Sequence, residues 1–341
     1  MTQLNAHPLT HARPWSAAAT FTRRVLFGAL AMLACAGTAW SQDDTITVTI
    51  LGSGTPDPRP DRFGQSTLVE AGGKTLVFDA GRGASIRLQQ LNVSIGQLTA
   101  VFLTHYHSDH TNGLPDLWLT GWLPPHGARK TPFRVIGPTG VKALMAGLTA
   151  AYKADIDIRI EDELLPAAGI EVRAQEFSAE GVVFDEGGVR VTAIKVDHGA
   201  RIEPAYGYRV SYGKRSVVIS GDTRYSENLI RQSQGVDLLL HEVADAPDDL
   251  KKIPAIQRIL DHHTLPEAAG RVFAQSRPRL AAFTHLVLLK NAQGQRPSDA
   301  DVAKATRSTY DGPLELGVDL MRFTLGDSVV VQRYDFVKGS Y

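Results

Sequence analysis

The sequence predicts an α/β protein, and three observations carry that expectation. Short runs of β-branched and apolar residues recur from about Thr45 almost to the C-terminus, with few helical stretches between them. Many of these runs are closed by glycine-rich turns. Four of them lead directly into a histidine or an aspartate, and strand ends are where α/β proteins place the loops that carry chemistry. The 341 residues are 43% hydrophobic and 21% charged, which fits a globular chain and excludes a low-complexity or disordered one.

The first stretch reads as an export signal. "FTRRVLFGALAMLACAGTAWSQ" has the basic pair Arg23-Arg24, an apolar run from Val25 to about Ala36, and small residues at Ala39 and Ser41, the pattern of a cleaved leader. "TRRVLF" is also similar to a twin-arginine signal. Residues 1–41 are therefore expected to be a signal peptide and 42–341 a single domain, periplasmic or secreted, with no stable membrane span after cleavage. Cleavage removes Arg13, Arg23, Arg24 and the only cysteine, Cys35, leaving 33 basic against 36 acidic residues. A cysteine-free chain excludes disulfides, thiolate zinc sites and cysteine nucleophiles. A slightly acidic one is a poor match for a polyanion, so polymeric nucleic acid is disfavoured as a partner.

Along the body, "TITVTILGSG" alternates as a strand, and "STLVEAGGKTLVFDAG" reads as two strands around a Gly72-Gly73 hairpin. "GASIRLQQLNV" has Ile86, Leu88 and Leu91 at helical spacing, and "LTAVFLTHYHSDH" is a buried strand that runs into a histidine cluster. "FRVIGP" and "TGVKALMAGLTAAY" follow as strand and helix. "VRVTAIKVDHG", "AYGYRVSY", "RSVVISGDT", "VDLLLHEV" and "RLAAFTHLVL" then read as strands, with "LPEAAGRVFAQS" a helix between the last two. Two β-rich halves, roughly 45–195 and 196–335, suggest an ancient duplication.

"HYHSDH" carries the chemistry. His105 and His107 lie two apart, so at an extended strand end they project to one side, while Asp109 and His110 follow after a turn and can face a second ion. Three imidazoles beside a carboxylate are costly to bury unless something electropositive holds them. Further ligands stand at other strand ends: His198 in "KVDHG", Asp222 in "VVISGDT" and His285 in "AFTHLVL". The expected grouping is His105, His107 and His198 on one metal, Asp109, His110 and His285 on another, and Asp222 between them. Nitrogen and oxygen donors suit two Zn2+, with Mn2+ or Fe2+ as alternatives.

The ordered set "HYHSDH", "DHG", "SGDT" and "FTH", with "GSGTPDP" and "FDAG" upstream, resembles the metallo-β-lactamase superfamily over about residues 46–335. Within it the chain is most similar to the RNase Z-like branch of zinc phosphodiesterases, which includes exported arylsulfatase-like members. The resemblance implies a four-layer αββα sandwich with a two-metal site at one edge of the paired sheets. "LLLHEV" and "HHTLPEAA" are similar to two further segments of that branch. They imply His262, rather than His263, as the group that protonates the leaving oxygen, with Glu242 orienting it. The alternative is that Glu242 satisfies backbone amides and His262 caps a helix. Asp79 in "FDAG" is expected to accept a hydrogen bond from a ligand histidine, or to serve only as a turn residue before Gly81.

The reaction implied is hydrolysis of a phosphodiester or sulfate ester of a small molecule, such as a cyclic nucleotide, aryl phosphodiester or aryl sulfate. The two metals would activate the attacking water and Asp109 would orient it. Pre-tRNA processing is the alternative. It is disfavoured because the tRNA-gripping arm of RNase Z is a long insertion between the third histidine motif and the bridging aspartate, where this chain has one strand pair. A lactone hydrolase would use the same metals, and a non-catalytic metal-binding protein is the remaining class. Trp118, Trp122 and His126 are candidates for a pocket wall that stacks on an aromatic substrate, with a core position for both tryptophans as the alternative. A homodimer is plausible from the family's exposed interface.

Overall fold

Two sheets face each other, and the residues alternating along their strands show why. The structure, a computed structural model, describes residues 44–125 and 127–341; the expected signal peptide, residues 1–41, lies outside them. The first six strands are β1 (Ile46–Gly52), β2 (Ser66–Ala71), β3 (Lys74–Phe78), β4 (Ala100–Phe102), β5 (Phe133–Pro138) and β6 (Val172–Phe177). The next seven are β7 (Gly181–Glu186), β8 (Val189–Lys195), β9 (Tyr206–Tyr212), β10 (Arg215–Ile219), β11 (Leu238–Asp245), β12 (Leu280–Leu288) and β13 (Leu314–Leu316). They form the second sheet, while β14 (Arg322–Leu325) and β15 (Val329–Gln332) return to pair beside β1 in the first. The boundary between sheets thus falls between β6 and β7, so the two β-rich halves divided near residue 195 do not coincide with the two sheets. β7 pairs with β8, and that hairpin follows β9 into the second sheet.

Ile46, Val48, Ile50, Leu76, Phe78 and Phe102 of one sheet pack with Val191, Tyr208, Val217, Ile219, Leu240 and Ala282 of the other. The intervening residues Val77, Val101 and Val135 point the opposite way, against α1 (Ala84–Gln90), α3 (Leu114–Trp122) and α4 (Val141–Ala151); the short α2 (Ser108–Thr111) lies between α1 and α3, and α5 (Lys153–Glu161) follows α4. Val218, Leu239, Ala281 and Phe283 likewise face away from the inter-sheet core, against α6 (Glu227–Gln232), α8 (Pro266–Ser276) and α9 (Asp299–Thr306), with α7 (Pro254–Leu260) nearer the sheet edge. The layers are αββα. Strands covered on both faces explain near-continuous apolar runs such as "VDLLL". In α1, Leu88 is buried but Ile86 is 53% exposed, so the helical spacing holds while the apolar face is narrower than the sequence suggests.

Each sheet contains four parallel strands, β3 to β6 and β10 to β13. The Gly72-Gly73 turn, with φ of 53° and 71°, joins β2 to β3 as a two-residue hairpin. Backbone bonds bind the two sheets at one edge: Tyr206 N donates to Thr104 O at 3.0 Å, and Leu286 N to Ser53 O at 3.0 Å. Tyr208 Oη adds a bond to Leu103 O at 2.5 Å.

Asp319 secures the loop after β1. It accepts from Ser53 N at 2.9 Å, Ser53 Oγ at 2.8 Å and Phe63 N at 2.8 Å, and pairs with Arg87 at 2.8 Å. Removing one partner of a buried ion pair leaves an uncompensated charge. Asp319→Ala is therefore expected to destabilise the fold by about 3–5 kcal/mol, read as a lower urea midpoint; an unchanged midpoint would refute this anchoring role.

Candidate metal centre

The candidate ligands stand at or just beyond strand ends on the edge where the sheets are joined. Asp79 follows β3 with φ of 60°, a left-handed conformation that aspartate tolerates. Its carboxylate accepts from Thr104 N and Thr104 Oγ1, both at 2.8 Å, and from His110 Nδ1 at 2.8 Å. A carboxylate has no proton to give, so His110 carries its proton on Nδ1 and leaves Nε2 with a free lone pair. Thr104 spends its single proton on Asp79 and accepts from His105 Nδ1 at 3.0 Å, which frees His105 Nε2 in the same way. His198 Nδ1 donates to the His262 carbonyl at 2.8 Å. Three imidazoles are thus fixed in one tautomer with bare nitrogens facing inward.

Those nitrogens converge in two groups. His105 Nε2 lies 3.0 Å and His198 Nε2 3.3 Å from His107 Nδ1. In the second group His285 Nε2 lies 3.3 Å from His110 Nε2 and 3.1 Å from Asp109 Oδ2. Donors on one tetrahedral ion with bonds of about 2.0–2.1 Å would sit roughly 3.3 Å apart. Asp222 Oδ2 stands between the groups, 3.4 Å from His110 Nε2 and 3.5 Å from His198 Nε2. Among the described residues, neither Asp109 nor Asp222 forms an ion pair with a lysine or arginine. Buried carboxylates and inward lone pairs without a basic side chain are the donor set of a divalent cation, and the nitrogen-oxygen chemistry is that of zinc.

The electrostatics agree. Burial, reinforced by His110, holds His105 well below the ordinary imidazole range, and burial lowers His198 to about 4. Both are neutral at pH 7, the form in which imidazole binds metal. Burial opposes ionisation of Asp109, yet His110 and His285 outweigh it and lower the carboxyl to about 2. At His110 the balance reverses: burial disfavours the charged ring, but Asp222, Asp79 and Asp109 overcome it, so that without a cation Nε2 takes up a second proton in the place a metal ion would fill. The field that retains a proton there is one that would retain a cation.

His285 is positioned by an irregularity in its strand. The β11–β12 register runs from His241 opposite Phe283 to Val243 opposite Leu286, so Thr284 and His285 face the single residue Glu242. This bulge gives His285 a φ of 44° and turns its ring into the site. Glu242 is the residue opposite.

The expected pairing of Glu242 with His262 is corrected here. Glu242 Oε2 lies 3.3 Å from His263 Nδ1, not beside His262. Its other oxygen accepts from Thr264 N at 2.9 Å and Thr223 N at 3.4 Å, so Glu242 also satisfies backbone amides. Burial works against a charged His263, but Glu242 and Asp222 prevail and raise it to about 9. His263 also groups with Asp222 and His285. His262 borders the cavity, yet what it contributes to the ligand set is the backbone carbonyl that fixes His198. Two adjacent histidines are indistinguishable by composition; only the turn into α8 decides which ring faces Glu242.

A cavity of about 370 Å³ opens over these groups, with His107, Asp109, His198, Asp222, His263 and His285 on its polar side and Pro56, Ile259, Val287 and Leu289 on its apolar side. Trp118 and Trp122 are not in its wall. Both are fully buried in the core between the first sheet and its helices, with their Nε1 groups donating to Ile170 O at 2.9 Å and Pro166 O at 3.0 Å. His126 lies outside the described residues. Thr104, which sequence reasoning passed over, is a hydroxyl immediately before the first histidine, and that adjacency is the signal that could have found it.

Because Asp79 orients His110 directly and His105 through Thr104, Asp79→Ala is expected to weaken zinc binding about 10–100-fold. Chelator competition with metal analysis checks this, and zinc retention equal to wild type would refute the orienting role.

Comparison with known proteins adds the family. Residues 74–286 match the model of a beta-lactamase superfamily domain. A ribonuclease Z of Mycobacterium marinum is 34% identical over 280 residues, 81% of this chain and 98% of that protein. Since nearly all of that relative aligns, it carries no long arm that this chain lacks, and the short His198–Asp222 segment does not separate the two. Among solved structures, the metallo-beta-lactamase fold protein YhfI from Bacillus subtilis has a TM-score of 0.61 at 19% identity, covering 82% of this chain and 100% of that one. Human tRNase Z, short form, has a TM-score of 0.59 at 20% identity, covering 81% and 98%. With the layered fold and the histidine-aspartate groups already in place, the matched domain and the ribonuclease Z relative establish that this chain belongs to the metallo-β-lactamase superfamily and is a homologue of ribonuclease Z.

Proposed function

We propose that the chain hydrolyses phosphodiester bonds with two divalent ions, preferably zinc, held by His105, His107 and His198 on one side and Asp109, His110 and His285 on the other. The observation that carries this reading is the single Asp222 oxygen placed between both groups, 3.4 Å and 3.5 Å from their imidazoles. Bound at these residues, two such ions would supply an acidified water and a site for the charged oxygens of the substrate. Asp109 orients the attacking water. His263, kept charged by Glu242, gives its proton to the departing oxygen. This replaces His262 in that role.

For the substrate, the ribonuclease Z relatives favour RNA over the small esters expected from the sequence. A second reading, a small phosphodiester or aryl sulfate, is supported by the leader-like N-terminus and the acidic balance of residues 42–341. Under that reading the protein works outside the cytoplasm.

Zinc-loaded chain is expected to hydrolyse bis(p-nitrophenyl) phosphate, and His107→Ala to fall to background. His263→Ala should slow cleavage of an alkyl-oxygen leaving group by about 10²–10⁴-fold, with little effect on p-nitrophenolate, which leaves without a proton. His262→Ala should retain most activity, because its role runs through the backbone; the reverse ranking would return the proton to His262. A panel of precursor tRNA, cyclic AMP, aryl sulfate and homoserine lactone separates the substrate readings. Turnover of the lactone alone would overturn the phosphodiester assignment.

A further inference from the structure

Next to the metal cavity lies a second, smaller one of about 210 Å³, and the two share Thr55, Asp57, Val287 and Leu289 in their walls. The two cavities are therefore adjacent, one over the ligand groups and the other along the loop that follows β12. Four basic side chains border the smaller cavity, but two are already committed. Arg59 bonds Asp61, and the buried Arg62 bonds Ser53 Oγ at 2.9 Å, Gly317 O at 2.6 Å and Asp299 at 2.7 Å.

Lys290 and Arg296 remain, and they share one carboxylate. Lys290 Nζ lies 3.9 Å and Arg296 Nη2 3.5 Å from the same oxygen of Asp57. Both separations exceed hydrogen-bond length. One carboxylate cannot neutralise two cations, so a positive charge is left over beside the cavity. Lys290 is half-exposed and Arg296 is about a quarter exposed, so both can reach an incoming anion. A guanidinium and an ammonium offer the fork and the point charge that bind phosphate. Lys290 follows His285 by five residues, about 16 Å at most along an extended chain, a span within reach of a short nucleotide whose scissile phosphate sits at the ligand groups.

We propose that Lys290 and Arg296 form a second phosphate subsite that reads the phosphate next to the scissile one. The preferred substrates then carry two phosphates separated by a nucleoside. The apolar wall of Ile259, Val287 and Leu289 between the two ends suits the base or sugar. Asp57 keeps the two cations together and competes with the incoming phosphate. The proposal rests on the phosphodiesterase reading.

Calorimetric binding of adenosine 3′,5′-bisphosphate and of 5′-AMP to zinc-loaded protein tests it. Wild type is expected to bind the bisphosphate about tenfold more tightly, equivalent to about 1.4 kcal/mol, and the double variant Lys290→Gln with Arg296→Gln to lose that preference. Asp57→Asn should strengthen bisphosphate binding, because it removes a competitor. If Asp57 and its partners only tether the loop, Asp57→Asn would weaken binding instead. Equal affinities in wild type, a preference that survives in the double variant, or weaker binding by Asp57→Asn would each overturn the subsite. Hydrolysis of bis(p-nitrophenyl) phosphate, which has a single phosphate, should be unchanged in the double variant. A wild-type chain inert toward it would sink the phosphodiesterase reading while leaving the binding comparison intact.

Discussion

A carboxylate can only accept hydrogen bonds, and at Asp79 that limitation orders the site. With Thr104 and His110 both donating to it, the protons of His110 and His105 on the outer nitrogens are fixed and the inner nitrogens are the ones left to a cation. Imidazoles free to choose their tautomer could donate to one another or to Asp222, and the site would close on itself. Fixed as they are, the rings leave a buried, electron-rich hollow. Its compensation has to come from a cation, and the grouping around Asp222 supplies donors on both sides.

The sheets make this possible by where they end. Parallel strands β3 and β4 in one sheet and β10 to β12 in the other bring Asp79, the histidine motif, Asp222 and His285 to one edge. That edge is closed by backbone bonds from Tyr206 to Thr104 and from Leu286 to Ser53. The bond to Thr104 is especially consequential, because the same residue relays Asp79 to His105. Movement of one sheet against the other would therefore disturb ligand orientation as well as packing.

His263 and His110 show how similar environments serve different ends. Both are buried histidines whose carboxylate neighbours overcome desolvation and favour a proton. His110 has Asp79 behind it and Asp109 with Asp222 ahead, so its inner nitrogen meets other ligand atoms. His263 is paired through Nδ1 with Glu242, at the margin of the cavity, where a charged ring can face a departing oxygen. What differs is the partner on Nδ1, Asp79 for His110 and Glu242 for His263, and on that difference the proposed division between metal binding and proton donation rests.

Much of this was legible in the sequence because strand alternation and turn glycines are local. β1, the Gly72-Gly73 hairpin, α4, α8 and the seven candidate ligands all follow from short stretches of residues and their neighbours. The sheet boundary was not legible, because nothing local in "GVVFDEGGVRVTAIK" says which sheet its hairpin joins. Trp118 and Trp122 looked available for a pocket and are core, since a helix's inward face is set by what packs on it. The sequence by itself determined the strands, the donor types and their order. Only the tertiary structure decided that His263 faces Glu242, that a bulge turns His285 inward, and that Asp222 stands between the two groups. Each of these depends on contacts between residues far apart in the chain, or on which way a backbone turns, and the identity of a side chain does not encode either.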